Sequence, residues 1–457
     1  MEINGSLWTS PRMQAALAND DVGTVIRLAR RAADLNQTQL GQLCGYSVST
    51  ISRIERGQPP SGDIHVRRSI ADALRIPSEY LGLAPAGIHR TAGPTRVGSD
   101  RTGLGGVRVV STAARGDPVR RRDVLSGLAA TAAATAWPWQ DHVRSARASL
   151  ADLLSAATTD VPPIEVPALA EGLVYARRAF SASHYDHLAT QLADLIAGAA
   201  ATRRHRQGSD RDAATAVLAA SYRLASELCV KRNDDALAWV LADRALTTAR
   251  DNGEPAHVAL ASRSVAIAMR RAGHHDDAVA LLSTCATQLQ PGGHPTDAGL
   301  ATYGSLLCTA AYASAQAGNR GNADTLIKEA TDAASRVTAP VNAGEITFSP
   351  TNVAVYKIGI FTALSDSAQA LEQASTVDVR LLDTSERYAR YCIDTARAWE
   401  QHGRPDRASH ALHAAENRAP EELRRPSSHE LITRLLYAPT VTPSGLRNLA
   451  VRVGALR

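Results

Sequence analysis

Residues 34–57 read DLNQTQLGQLCGYSVSTISRIERG, and this stretch decides how the chain begins. Leu35, Leu40 and Leu43 mark one short apolar face. Gly45 interrupts it. Ser47 is of the type that caps helix N-termini, and Ile51 and Ile54 form a second apolar face. The pattern predicts a helix, a tight glycine turn and a second helix. The second helix, over 47–56, keeps Val48, Ser49, Ser52 and Arg53 on its outer side.

Order and spacing here resemble the helix-turn-helix of the Cro/repressor (XRE) family. The matching residues are Gln37, Leu40, Gly45, Ser47, the run Ser49-Thr50-Ile51-Ser52 and the run Ile54-Glu55-Arg56-Gly57. Ile64, Ile70, Ala73-Leu74 and Ile76-Pro77 continue it as later helices do. The resemblance implies that the second helix lies in the major groove of double-stranded DNA. It places Val48, Ser49 and Arg53 at base edges, where Arg53 could fork to guanine and Val48 could touch a thymine methyl. It gives Gln37, Ser47, Thr50 and Arg56 to phosphates, with Ser52 beside them on the outer face. Gly41 departs from the family, which prefers Ala there.

Outward from this motif the composition favours helix. The chain has 457 residues, 44 % hydrophobic but only 4 % aromatic, so its core must be built from Ala, Leu, Val and Ile. Residues 1–122 carry 17 Lys and Arg against 10 Asp and Glu, whereas the remainder carries 33 against 35. The positive end suits a polyanion. Residues 1–20 read as a short arm. Residues 84–122, with 8 Arg against 2 Asp among Gly, Pro and Thr, read as a basic flexible linker that could add salt-sensitive DNA affinity. The segment RRRDVLSGLAATAAATA at 120–136 imitates a twin-arginine signal, but it lies deep inside the chain and reads as a helix start capped by Asp123. No leader and no membrane span are expected, and five scattered cysteines without a CxxC fit a reducing cytoplasm.

Residues 123–457 repeat. A turn, an Ala and an apolar residue four further on recur at Ala278/Leu282, Ala323/Ile327, Ala370 and Ala408/Leu412, with weaker copies at Ala236/Val240 and Leu188. The intervals of 38–48 residues hold two helices each. This resembles tetratricopeptide (TPR) repeats with longer units, and HEAT-like or other helix pairs are the alternative. The expected fold is therefore all-α: a helix-turn-helix domain of about five helices over 1–83, a linker over 84–122, and a TPR-like α-solenoid over 123–457.

By analogy with such repeats, the first helix of each unit lines a concave face. Counting back from the anchors selects Tyr222, Arg263, Tyr312, Asn352, Tyr356, Arg390, Asp394 and Arg397 for an effector. Asn352 either meets a peptide backbone or caps its own helix. The headpiece with RRRDVLSG at 120–127, FSPTNVAVY at 348–356 and the last unit, YARYCIDTARAWEQHGRPDRASHAL at 388–412, also resembles regulators of high-GC Gram-positive bacteria and, more distantly, quorum-sensing peptide receptors, and this resemblance implies a body that dimerises, giving a homodimer, and senses a peptide or metabolite. No catalytic motif or metal-ligand set is found, so no enzyme activity, cofactor or metal is expected; the close histidine pairs read as solvated surface. Two functions remain: a ligand-gated transcriptional regulator, or a DNA-tethered adaptor whose solenoid holds a protein partner constitutively.

Overall fold

A computed structural model of the chain describes residues 7–58, 60–83, 152–186, 188–289, 296–338, 341–342, 347–438 and 441–456. The linker over 84–122, the twin-arginine-like segment and the Asp123 cap lie outside the described residues, as does His187.

The headpiece is built from α1 (Pro11–Ala18), α2 (Val22–Ala32), α3 (Gln37–Cys44), α4 (Val48–Ile54) and α5 (Ile64–Leu74), followed by a 3-10 turn at Ser78–Leu81. Each helix starts where a short polar side chain can accept from its first turn: Ser10, Asp21, Asn36, Ser47 and Asp63. Asn36 and Gln39 complete a capping box. The arm expected at the N-terminus contains α1, whose Met13 is fully buried. Leu40, Ile51 and Ile54 are buried as expected, but Leu43 is 59 % exposed. The inward stripe of α3 runs through Leu40 and Gly41, because Gly41 sits directly beneath the Tyr46 carbonyl and a Cβ there would overlap it. Gly45 closes the helix at φ +73°, in the left-handed region that glycine occupies without steric cost.

The body comprises α6 (Asp152–Ser155), α7 (Val166–Ser181), α8 (Leu188–His205), α9 (Gly208–Lys231), α10 (Asp235–Asn252), α11 (Pro255–Arg271) and α12 (His275–Gln288). It continues with α13 (Asp297–Gln316), α14 (Arg320–Arg336), α15 (Pro350–Ala363), α16 (Ser367–Thr376), α17 (Ser385–Gln401) and α18 (Pro405–Arg418). It ends with α19 (Pro420–Leu423), α20 (Pro426–Leu436) and α21 (Leu446–Val453). Two two-residue strands, β1 (Val341–Asn342) and β2 (Thr347–Phe348), pair antiparallel before α15, and Phe348 is buried against α13 at Gly304.

Antiparallel helix pairs stack into an α-solenoid. The odd helices α7 to α17 form the inner layer, each packed on the next odd helix, and α17 returns to pack on α7. The array thus curls until its inner layer closes. Charge seals the seam: Lys231 at the end of α9 meets Glu386 of α17 at 2.5 Å and Glu422 of α19 at 2.6 Å. The Tyr185 hydroxyl donates to Glu422, and the Tyr185 amide donates to Glu421 at 2.8 Å.

The anchors have one structural meaning. Ala278, Ala323, Ala370 and Ala408 each lie four residues after the N-cap and are fully buried, so a small side chain lets the two helices of a pair approach. In α10 that position is Ala238, whereas Ala236 and Val240 are exposed. The shared Asp-Asp-Ala misleads there, because Asp234 is itself the cap of α10 while His274 caps α12.

The headpiece packs on the body. Its apolar core is continuous with that of α11–α15, and Arg68 of α5 forms a buried ion pair with Glu329 of α14.

Candidate nucleic-acid interface and ligand cavity

The outer face of α4 follows from its length and cap. Seven residues give barely two turns, and burying Ile51 and Ile54 turns Val48, Ser49 and Arg53 outward. Val48 is 43 % exposed, so its side chain is accessible on this face. Ser47 caps the helix through the Thr50 amide at 3.2 Å, and its Oγ lies 2.9 Å from the Ser49 Oγ and 2.8 Å from the Thr50 Oγ1. Three hydroxyls therefore cluster at the N-terminus of α4, where the helix dipole also favours an anion. Ser52 is half-buried; its carbonyl accepts from Arg56 Nε at 3.1 Å, and Arg56 is exposed.

Gln37 stands differently. Its Nε2 donates to Glu55 at 2.8 Å, and Glu55 is held at the same time by Arg30, at 2.5 and 3.1 Å. Arg30 also donates to the Leu35 carbonyl at 2.6 Å. This buried fork ties α2 to the end of α4 and the start of α3, fixing the angle of the outward helix. The seven other candidate DNA residues lie on or beside α4; Gln37 joins them from α3 through Glu55.

Inside the closed solenoid lies a cavity of about 770 Å³, lined by the inner helices and by Arg425 just before α20. That is within the roughly 300–1,000 Å³ of small-ligand sites. From α11 come Arg263, Ser264, Ile267 and Arg270; from α13, Thr309 and Tyr312; from α15, Tyr356. From α17 come Glu386, Arg387 and Arg390. The α7–α9 side supplies Arg177, Phe180, Glu227, Val230 and Lys231, and α20 lies behind Arg425.

Four of the eight effector candidates meet here: Arg263, Tyr312, Tyr356 and Arg390. Arg263 donates to the Tyr356 hydroxyl and to Thr309, both at 2.9 Å. Tyr312 is flanked by two guanidiniums, Arg270 at 4.8 Å and Arg390 at 5.6 Å from its ring centre. Asp394 lies behind the wall, buried between Arg390 at 2.5 Å and Arg397 at 2.7 Å. Tyr222 borders a separate, shallower pocket with Arg203, Arg211 and Arg244. Asn352 is buried at the third residue of α15. The cap of that helix is Ser349, and both the Asn352 amide and its Nδ2 point back to the Ser349 Oγ at 3.3 Å. Neither Tyr222 nor Asn352 lines the central cavity.

The electrostatics are one-sided. Burial works to raise the Tyr356 phenol, but Arg263 and Arg387 beside it outweigh burial and hold it below its ordinary pKa. Burial lowers Arg270, and Arg390 and Arg271 add to that. Burial also opposes the charge on Glu386, yet Lys231 and Arg387 keep it well below the carboxylate range. Such a wall attracts anionic and carbonyl-rich groups and repels cations. Back-counting from the anchors missed Arg177, Lys231, Arg270, Arg387 and Arg425. A signal was present: Arg263 and Arg270 stand seven apart, on one face of the Ala- and Val-rich α11.

Residues 21–80 match the family model of a helix-turn-helix domain. With the cap, glycine turn and outward helix described above, the headpiece is a helix-turn-helix DNA-binding domain. No curated protein and no solved structure matches the chain. Among the described residues, no group of three or more His, Cys, Asp or Glu could hold a metal ion, and no helix is long and apolar enough to cross a membrane.

Proposed function

We propose that the protein is a cytoplasmic, XRE-type transcriptional regulator that binds a pseudo-palindromic site as a homodimer and whose TPR-like body senses a peptide or small molecule. The observation that carries this reading is the arginine-rich cavity inside the same helical array on which the DNA-binding headpiece is docked. A closed inner layer favours a compact signal, such as a small molecule or short peptide, over a long extended partner. Small rotations per helix pair add along a solenoid, so ligand in the cavity can change how α14 presents the headpiece. A ligand acts in this way only if it prefers one arrangement, since equal affinity for both shifts nothing. The headpiece alone makes few base contacts, and pairing two half-sites through the body supplies the missing affinity.

Footprinting the protein on its own upstream DNA, with and without culture extract, tests the reading. A protected site that changes with extract supports it. Protection that is indifferent to every extract returns the field to a constitutive adaptor. Light scattering on the full chain tests the dimer, and a monomer at micromolar concentration would contradict it.

A further inference from the structure

We propose that the central cavity takes a small organic anion, a carboxylate or phosphate head joined to a short apolar group. This rests on the sensing reading above and narrows its ligand.

The cavity's cations outnumber its acids, and two of its acids are already engaged. Glu227 pairs with Arg177 at 3.3 Å, and Glu386 lies between Lys231 and Arg387. Among the half-buried guanidiniums, Arg390 has Asp394 and Arg425 has Glu422. Arg263 and Arg270 are different. Arg263 donates only to neutral oxygens, of Tyr356, Thr309 and Ser305, and Arg270 donates to the neutral Gln316 at 2.7 Å. These two charges face the cavity without a counter-ion.

Hydrogen-bonding capacity tells the same story. Arg270 Nε, Arg177 Nε and Nη2, Arg425 Nε and Ser264 Oγ are buried without a partner, and all four residues line this cavity. Buried donors without acceptors are costly, and these side chains need only turn toward the space they line for a ligand's acceptor oxygens to satisfy them. Like charges gathered around one cavity add to that cost, which an anion would remove. Phe180, Val230 and Ile267 line the same space and offer no donor, so they suit the ligand's apolar part. A cation or a neutral alcohol would leave the arginines unanswered.

The test uses the full chain and four probes with one octyl chain: octyl phosphate, octanoate, octanol and octylamine. Binding is read by calorimetry and by the shift in Tm. Octyl phosphate or octanoate should bind and raise Tm, and octanol and octylamine should not. Which acid binds more tightly distinguishes a phosphate from a carboxylate head. Losing one charge-assisted contact should weaken the acid roughly tenfold to a hundredfold in Arg270→Gln, and Arg177→Gln should act in the same direction. Removing a repelling charge should also leave the unliganded Arg270→Gln protein at least as heat-stable as the parent. Equal binding of octanol and the acids would overturn the proposal. So would no binding of either acid, or unchanged acid affinity in both variants. An acid that binds but leaves DNA affinity untouched would sink the sensing reading alone. An extract that shifts DNA affinity of a protein binding neither acid would sink only the anion.

Discussion

Arg68 and Glu329, 261 positions apart, form a buried ion pair that joins the DNA-binding headpiece to α14 of the solenoid. Arg68 also donates to the Ser78 hydroxyl at 2.7 Å, so the guanidinium is oriented from the headpiece side before it meets the carboxylate. Burial raises the Glu329 pKa and Arg68 partly offsets this, as expected for a carboxylate retained in an apolar seam by its partner.

Removing that partner should undock the headpiece. Glu329→Ala strands a buried guanidinium, which costs about 3–5 kcal/mol at such sites. The chain should then expand, with a larger radius of gyration by X-ray scattering and faster proteolysis between headpiece and body, while α4 keeps its fold. An unchanged radius would mean that apolar contacts alone hold the headpiece.

Gly41→Ala sets two effects against each other. Alanine gains about 1 kcal/mol of helix propensity. Its Cβ, however, would meet the Tyr46 carbonyl. Overpacking of this kind costs about 1–3 kcal/mol, so sterics should win and Tm should fall. A rise in Tm on calorimetry would show that the turn can relax.

On α4, Arg53→Ala should relax preference at one base position per half-site and cost roughly 1–3 kcal/mol if the contact is bidentate. Arg56→Ala should weaken all DNA sequences alike. Gel-shift titrations on specific and random duplexes separate the two, and uniform losses for both would refute the division of roles.

The headpiece and the helix-pair period were legible because both are written in local signals: caps, a glycine turn and an alanine at each close approach. What escaped was long-range. Nothing near Arg68 or Glu329 names the other, and the closure of the array rests on Lys231 finding Glu386 and Glu422 from another part of the chain. The register of α10 was misread because one Asp-Asp-Ala string caps at its first Asp and the other does not. Four cavity residues were reached by counting back from anchors, but that selects few positions per helix and so passed over Arg270 and Arg177. Asn352 drew attention as an amide at a helix start, yet it folds back on the cap it follows.

Acid and base should act on this body in opposite ways at two carboxyls. Burial lifts Asp194 on α8 to about 6 from an ordinary 3.8. A raised carboxyl pKa penalises the folded state fully above about 6, and the penalty fades as pH falls toward 3.8. Asp194→Asn should therefore stabilise at pH above that range, by roughly 1 kcal/mol once solvent screening is allowed for, and lose its advantage in acid. Glu386 is depressed instead, so its contribution to closing the array is present above its ordinary 4.5 and lost as pH drops further. Melting curves across pH for the parent and Asp194→Asn check the sign, and a variant destabilised at neutral pH would reverse it.

The account turns on coupling between the cavity and α4, which fluorescence anisotropy on the protein's own upstream duplex measures directly. With octyl phosphate or octanoate, whichever binds, at saturation, DNA affinity of the full chain should change by about 5- to 150-fold, the span of ordinary allosteric coupling. Arg270→Gln should need roughly tenfold to a hundredfold more of the same anion to reach that change. Identical DNA affinity with and without saturating anion in the parent protein would contradict the coupling.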